Sequence, residues 1–262
     1  MVTKKNGLVG AIAGASMLGA VTANAAPIST YYKDNYIGGS PTHSSFEGED
    51  RIGGKEFELY GANVKEFPTT GGIKIDFDMP YYKPGTLDTQ LADLFLSANG
   101  FTLFGDAPYT QDNLSNTNGE NEIDFVFSLK DGNIYMNFDS DPLNILRSDD
   151  LIDGDRYIYR ADQPVQRKDG GVKLNSNNTN FTFTQGKGIS FSFNVNDLET
   201  LYGSPIERLG VWYGGATCAN DVIKFNHVFD NATTVPEPQM FGLLGIGLAG
   251  LYYSRRKAKK KE

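Results

Sequence analysis

The chain has 262 residues, with 32 Asp and Glu against 24 Lys and Arg, for a formal charge of −8. So acidic a chain repels nucleic acid and anionic lipid, which excludes nucleic acid as a partner. Its one cysteine, Cys218, excludes an intramolecular disulfide, so the fold must rest on a Tyr- and Phe-rich core or on bound cations.

Lys4 and Lys5 precede an apolar, small-residue stretch over residues 8–21, and Ala23-Asn24-Ala25 forms an A-x-A cleavage site. This pattern predicts a secretory signal peptide over residues 1–25, a short helix removed on export, with the mature chain starting at Ala26. A body follows over residues 26–230. Residues 31–61 are rich in Tyr, Gly and acid, and a first alternating run falls at residues 55–60 (KEFELY). Residues 73–79 (IKIDFDM) alternate again, with Ile73, Ile75, Phe77 and Met79 on one face. After the breakers Pro80 and Pro84-Gly85 comes an apolar run at residues 91–96 (LADLFL). Asn99-Gly100 between that run and residues 101–104 (FTLF) is a hairpin signal.

An Asn-rich polar loop occupies residues 106–121, then residues 123–127 and 134–138 read as strands joined by a turn at residues 130–133. Residues 139–155 read as acidic and irregular. Residues 157–159 and 164–165 suit short edge strands, with turns at Asp169-Gly170-Gly171 and residues 175–180. Residues 181–183 and 189–195 alternate cleanly. Residues 196–202 predict one short helix capped by Asn196 or Asp197. Residues 209–213 and 222–225 close the body. Many short strands with Gly and Asn turns predict an all-β fold, an antiparallel β-sandwich of jelly-roll type in one domain.

Residues 231–262 have a different character. Pro236 and Pro238 fix φ and remove two N–H donors, so the chain there is extended and accessible. Residues 241–253 carry no charge and predict a hydrophobic helix, shorter than the roughly 20 residues that span a full hydrocarbon core. Flanking tyrosines and snorkelling basic side chains extend its reach. Arg255, Arg256 and Lys257 then open a basic tail that stays cytoplasmic under the positive-inside rule. Loss of Lys4 and Lys5, and of the six basic residues and one acid beyond Pro238, takes the formal charge from −8 to about −15.

The order Pro236-Glu237-Pro238, apolar segment, basic tail resembles the PEP-CTERM sorting signal of exported bacterial proteins. The resemblance implies handling by an exosortase, a membrane-embedded cysteine transpeptidase, which cleaves near Pro-Glu-Pro and releases or re-attaches the body. A plain, uncut anchor is the alternative, but it leaves Pro236-Glu237-Pro238 without a purpose. Residues 91–97 with the following Asn-Gly-Phe, and residues 217–223 (TCANDVI), are also similar to segments of exported PEP-CTERM proteins of unassigned function.

Candidate chemistry is sparse. Residues 122–127 (EIDFVF) resemble a strand motif of jelly-roll retaining glycoside hydrolases, with Glu122 matching the nucleophile and Asp124 its helper. Phe127 stands where the last carboxylate belongs, and retaining hydrolysis needs two carboxyls about 5 Å apart. The plainer reading is the polar face of a strand, and no catalytic residue is assigned. Asp149, Asp153 and Asp155 form an acidic run that suits Ca²⁺, a hard cation, without an EF-hand register, and Glu47, Glu49 and Asp50 form a second acidic group. A solvated acidic loop is the plainer reading of both. Trp212 and Tyr213 have the chemistry to stack on sugar rings, or to fill a sandwich core. His43, His227 and Cys218 show no local arrangement for Cys-His chemistry, and a small buried hydrophobe is the plainer role for the thiol.

The expectation is therefore a non-enzymatic exported protein of the envelope, surface or extracellular polysaccharide. Its partners are the secretion machinery, an exosortase and, transiently, the inner membrane. A Ca²⁺-assisted carbohydrate-binding module is the alternative, and a degenerate glycosidase the second. No cofactor is implied, with Ca²⁺ the single candidate.

Overall fold

A computed structural model describes residues 26–36, 49–52, 54–80, 90–107, 109, 122–152, 159–175, 179–184 and 187–229. In chain order the elements are β1 (Ile28–Lys33), a 3-10 turn (Lys55–Phe57), β2 (Gly61–Phe67), β3 (Gly72–Asp78), β4 (Leu94–Ser97), β5 (Phe125–Ser128) and β6 (Asn133–Met136). There follow β7 (Asn144–Arg147), α1 (Ser148–Leu151), β8 (Pro164–Asp169), β9 (Val172–Lys173), β10 (Asn180–Thr184), β11 (Gly188–Asn194), α2 (Val195–Tyr202), β12 (Arg208–Tyr213) and β13 (Ile223–Val228). The predicted signal helix, the apolar C-terminal helix, Ala23, Ala25 and the whole of residues 230–262 lie outside the described residues. No helix among the described residues is long and apolar enough to cross a membrane.

Among the described residues, the strands form two large antiparallel sheets and a small one. Their orders are β1-β2-β3-β11-β10, β13-β12-β4-β5-β6-β9 and β7-β8. In the five-stranded sheet, strict alternation decides which side is dry. Ala62, Val64, Ile73, Ile75, Phe77, Ile189, Phe191 and Phe193 are buried on one face, while Asn63, Lys65, Lys74, Asp76, Ser190 and Ser192 stay partly exposed on the other. The dry face meets the other sheet through ring contacts: Phe77 with Tyr213 at 4.5 Å, and Phe191 with Phe127 at 5.2 Å. Gly188 sits at φ 129°, and a Cβ there would lie 2.0 Å from the Phe77 carbonyl oxygen, so the close start of β11 against β3 requires glycine.

The centre of the six-stranded sheet is covered on both faces. Every residue of β4 and β5 is buried. Opposed residues share a face, so Leu94 and Leu96 side with Tyr213 and Val211, and Phe95 sides with Trp212. Residues 101–104, which the Asn99-Gly100 signal predicted as the second arm of a hairpin, are not a strand. β4 pairs instead with β12 and β5, and Phe101 lies against Trp212 on the outer face. The β7-β8 hairpin also lies over this face. The Arg167 guanidinium sits 3.4 Å above the Tyr135 ring, and Asp93 accepts backbone hydrogen bonds from Arg167 and Leu129, both at 2.7 Å.

Other boundaries also moved. Residues 55–60 form a 3-10 turn and a connection, and the strand comes next, as β2. β1, in the Tyr-rich opening, and β7 and α1, in the acidic stretch, were not predicted. α2 begins at Val195 because the Asn194 side chain accepts from Asn196 N at 2.9 Å, making Asn194 the cap in place of Asn196 or Asp197. Residues 157–158, most of the 106–121 loop and the centre of the 175–180 turn lie outside the described residues.

Phe191 is fully buried among Phe77, Phe127 and Tyr213. Phe191→Ala is expected to cost about 3–5 kcal/mol in urea unfolding, as large-to-small core changes of this kind do. Phe183→Ala, on the inner side of edge strand β10 but with its ring 36% exposed, is expected to cost clearly less. Equal losses for the two variants would contradict this packing.

Candidate functional site

Covering both faces of the second sheet gathers four chain segments at one place. Asp34 follows β1, and its backbone N–H donates to the Tyr60 carbonyl at 3.3 Å. The loop between β12 and β13 carries Asp221, and Ile52 N donates to Asn220 O at 2.8 Å, which draws residues 49–52 alongside. Arg160 enters from the stretch before β8, held through Arg160 N to Cys218 O at 3.4 Å. Carboxylate oxygens of Asp34, Asp50 and Asp221 all lie within 4.8 Å of one another.

Each buried carboxylate here uses one oxygen for the fold. Asp34 Oδ1 accepts from Tyr36 N at 3.1 Å, and Asp221 Oδ2 accepts from Leu59 N at 2.6 Å. Their second oxygens, Asp34 Oδ2 and Asp221 Oδ1, are buried without a hydrogen-bond partner. Asp221 is 1% exposed and Asp34 9%, while Asp50 faces solvent. The Arg160 guanidinium, itself fully buried, donates through Nη2 to the Asp50 carbonyl at 2.6 Å and to that of Glu49.

Burial comes first in the electrostatics of this centre. It pushes Asp34 and Asp221 well above the ordinary aspartate range, Asp50 adds repulsion at both, and Asp34 does so at Asp221. Burial raises Asp50 too, against the pull of Arg160, Arg51 and Lys33. It also lowers Arg160, whose charge the three carboxylates support. Three carboxylates and one guanidinium leave a formal charge of −2. Oxygen-only, anionic donors at this spacing suit a hard divalent cation rather than a soft metal.

The predicted site residues fall elsewhere. Asp149 is tied into the fold, accepting from Tyr159 Oη at 3.1 Å and Asp162 N at 2.6 Å, and Asp153 and Asp155 lie outside the described residues. Trp212 and Tyr213 are fully buried and offer no face to a sugar, which corrects their reading as a stacking platform. Tyr36 and Phe101 close over Trp212, with Lys224 Nζ 4.5 Å from its ring, because the sheet is covered on that side as well. Both Glu122 oxygens accept from Thr102, and Asp124 Oδ2 accepts from Ala98 N and Ser97 Oγ. Phe127 is buried in the core. Cys218 is 3% exposed, with its thiol pushed up to about 11 by burial. His227 bridges Tyr32 Oη and Glu66 Oε1, each at 2.9 Å, and a ring protonated at Nε2 satisfies both contacts. His43 lies outside the described residues. Of the acidic centre, sequence reading touched only Asp50, as part of an acidic group, and Asp221, inside the TCANDVI segment. Asp34 carried no signal.

A family model for the PEP-CTERM protein-sorting motif matches residues 234–257. The chain carries a PEP-CTERM sorting signal. That signal implies export, a transient membrane stage and processing by an exosortase, and its residues, including Pro236, Glu237, Pro238 and the cluster Arg255, Arg256 and Lys257, lie outside the described ones. No curated protein and no solved structure matches the chain.

The raised Asp34 and Asp221 carboxyls give a pH signature. The folded state keeps protons that the unfolded chain releases near 3.8, so their stabilising contribution is full below that pH and is lost as pH rises through the raised values. Burial moves His227 the other way, from 6.5 down to about 4, so its contribution is full above 6.5 and lost as pH falls toward 4. Asp93, raised to about 6 by burial, behaves as the first pair does. Asp221→Asn leaves His227 and Asp93 in place. In EDTA, its melting temperature is expected to drop less than the wild type's between about pH 5 and about pH 8. Parallel melting curves would show that burial and the neighbouring carboxylates do not raise Asp221 as described.

Proposed function

We propose that this is an exported, exosortase-processed protein with a non-catalytic β-sandwich body, delivered to the cell envelope, surface or extracellular polysaccharide. The observation that carries the reading is position. The last strand among the described residues, β13, ends at Val228 and the sorting motif begins at residue 234. An exosortase would thus act on a tail that follows a finished fold, leaving the core strands intact. A non-catalytic body is supported by Glu122, both of whose oxygens accept from Thr102, by Asp124, whose Oδ2 accepts from Ala98 and Ser97, and by Phe127 in place of a second catalytic carboxyl. The acidic charge supports solubility outside the cell.

One observation favours a second reading, binding of a neutral glycan. Tyr31, Asn63, Asp76, Asp78 and Lys187 line a shallow groove on the outer face of the five-stranded sheet. Tyr31 is 57% exposed, and its hydroxyl donates to Tyr60 O at 3.0 Å. An exposed ring beside amide, carboxylate and ammonium groups is the chemistry that holds a sugar.

Mass spectrometry of protein recovered from producing cells is expected to show a chain that starts at Ala26 and ends near Glu237. Replacing Pro236, Glu237 and Pro238 by alanine is expected to leave the tail in place. A wild-type chain still ending in Lys261-Glu262 would overturn the processing. For the second reading, a glycan array is expected to give signals that Tyr31→Ala abolishes, and an array without signal removes it.

A further inference from the structure

We propose that Asp34, Asp50 and Asp221 form a binding site for one divalent hard cation, of which Ca²⁺ is the best fit. The proximity of three acids does not carry this inference by itself. Two of them are at least nine-tenths buried, and each spends one oxygen on a backbone N–H while its other oxygen, Asp34 Oδ2 or Asp221 Oδ1, has no partner. An unpaired buried polar atom is costly and an unpaired buried charge more so, and folds rarely keep such atoms without a use.

The charge balance points the same way. Arg160 offsets one carboxylate of three, and its Nη2 is committed to the Asp50 and Glu49 carbonyls. The formal remainder equals the charge of one divalent cation. The donors are all oxygen, with no His or thiolate among them, which disfavours Zn²⁺ and Cu²⁺. Ca²⁺ tolerates irregular geometry and completes its six to eight ligands with water, and Asp50 lies on the exposed side, where water has access. The buried Asn220 Oδ1, next in sequence to Asp221, is also without a partner.

Such a cation would join three segments far apart in the chain: the end of β1, the 49–52 connection and the loop that leads into β13. The loop before the last strand would then close only where the cation is abundant. Extracellular Ca²⁺ modules bind at about 10⁻⁴–10⁻³ M, so a site of this kind fills after export rather than before it.

The test is calorimetric titration of the purified, chelator-treated full chain with CaCl₂ to about 10 mM, repeated with MgCl₂ and ZnCl₂ and paired with thermal melts. The expected result is one Ca²⁺ per chain and a melting temperature higher by roughly 5 °C at saturation. Asp50→Asn, on the exposed side, is expected to fold and to bind at least tenfold more weakly, and Asp221→Asn to lose the response. Asp149→Asn is expected to bind as the wild type does. No heat and no thermal shift in the wild type would overturn the proposal. So would an undiminished response in Asp50→Asn, a preference for Zn²⁺, or a loss of binding in Asp149→Asn. If Asp221→Asn does not fold, Asp50→Asn decides.

Discussion

The constraint on which the rest depends is that the middle of the six-stranded sheet must be dry on both sides. β4, β5 and β12 put Leu94, Leu96, Phe125, Phe127 and Tyr213 toward one face and Phe95, Val126 and Trp212 toward the other, and all are buried. The five-stranded sheet covers the first face. The second is covered piecemeal, by Tyr36, by Phe101 and by the β7-β8 hairpin with Arg167 over Tyr135. Polar atoms caught beneath this cover need partners, which is why Asp93 takes two backbone N–H groups and Lys224 reaches the Thr102 carbonyl.

The acidic centre follows from the same covering. Chain that wraps the outer face has to turn at its edge, and there Asp34, the 49–52 stretch, Arg160 and the TCANDVI loop come together. Ala219, at φ 46°, helps set the turn in that loop. The site therefore belongs to the joints of the fold, while the polar outer face of the five-stranded sheet is a separate surface.

What the sequence disclosed depended on how many faces each segment buries. β3 and β11 are buried on one face, so their alternation was plain, and the turn between β5 and β6 carried its own glycine. β4 is buried on both faces, so its run LADLFL has no period to read, and the Asn99-Gly100 turn after it pointed to the wrong partner. β1 alternates too, with Ile28, Thr30 and Tyr32 on the half-buried side and Ser29, Tyr31 and Lys33 exposed, so Thr inside and Tyr outside mask the pattern. Asp34 and Asp221 were illegible as a pair because a site made of distant loops leaves no spacing rule. Asp149 and Asp150, which did cluster in sequence, cap and brace their own loop. Trp212 was readable only as an alternative, because an isolated Trp beside Tyr has the same appearance on a surface and in a core.

The contact of Glu66 and Tyr32 with His227 has a mechanical consequence. β13 is an edge strand, and His227 sits one residue before its end, so any tether at the C-terminal tail pulls there first. The pull meets a ring bolted at both nitrogens to strands of the opposite sheet, in addition to the ladder with β12. Load is thus shared between the two layers at the point of entry, and an anchored copy resists being unzipped from its own leash.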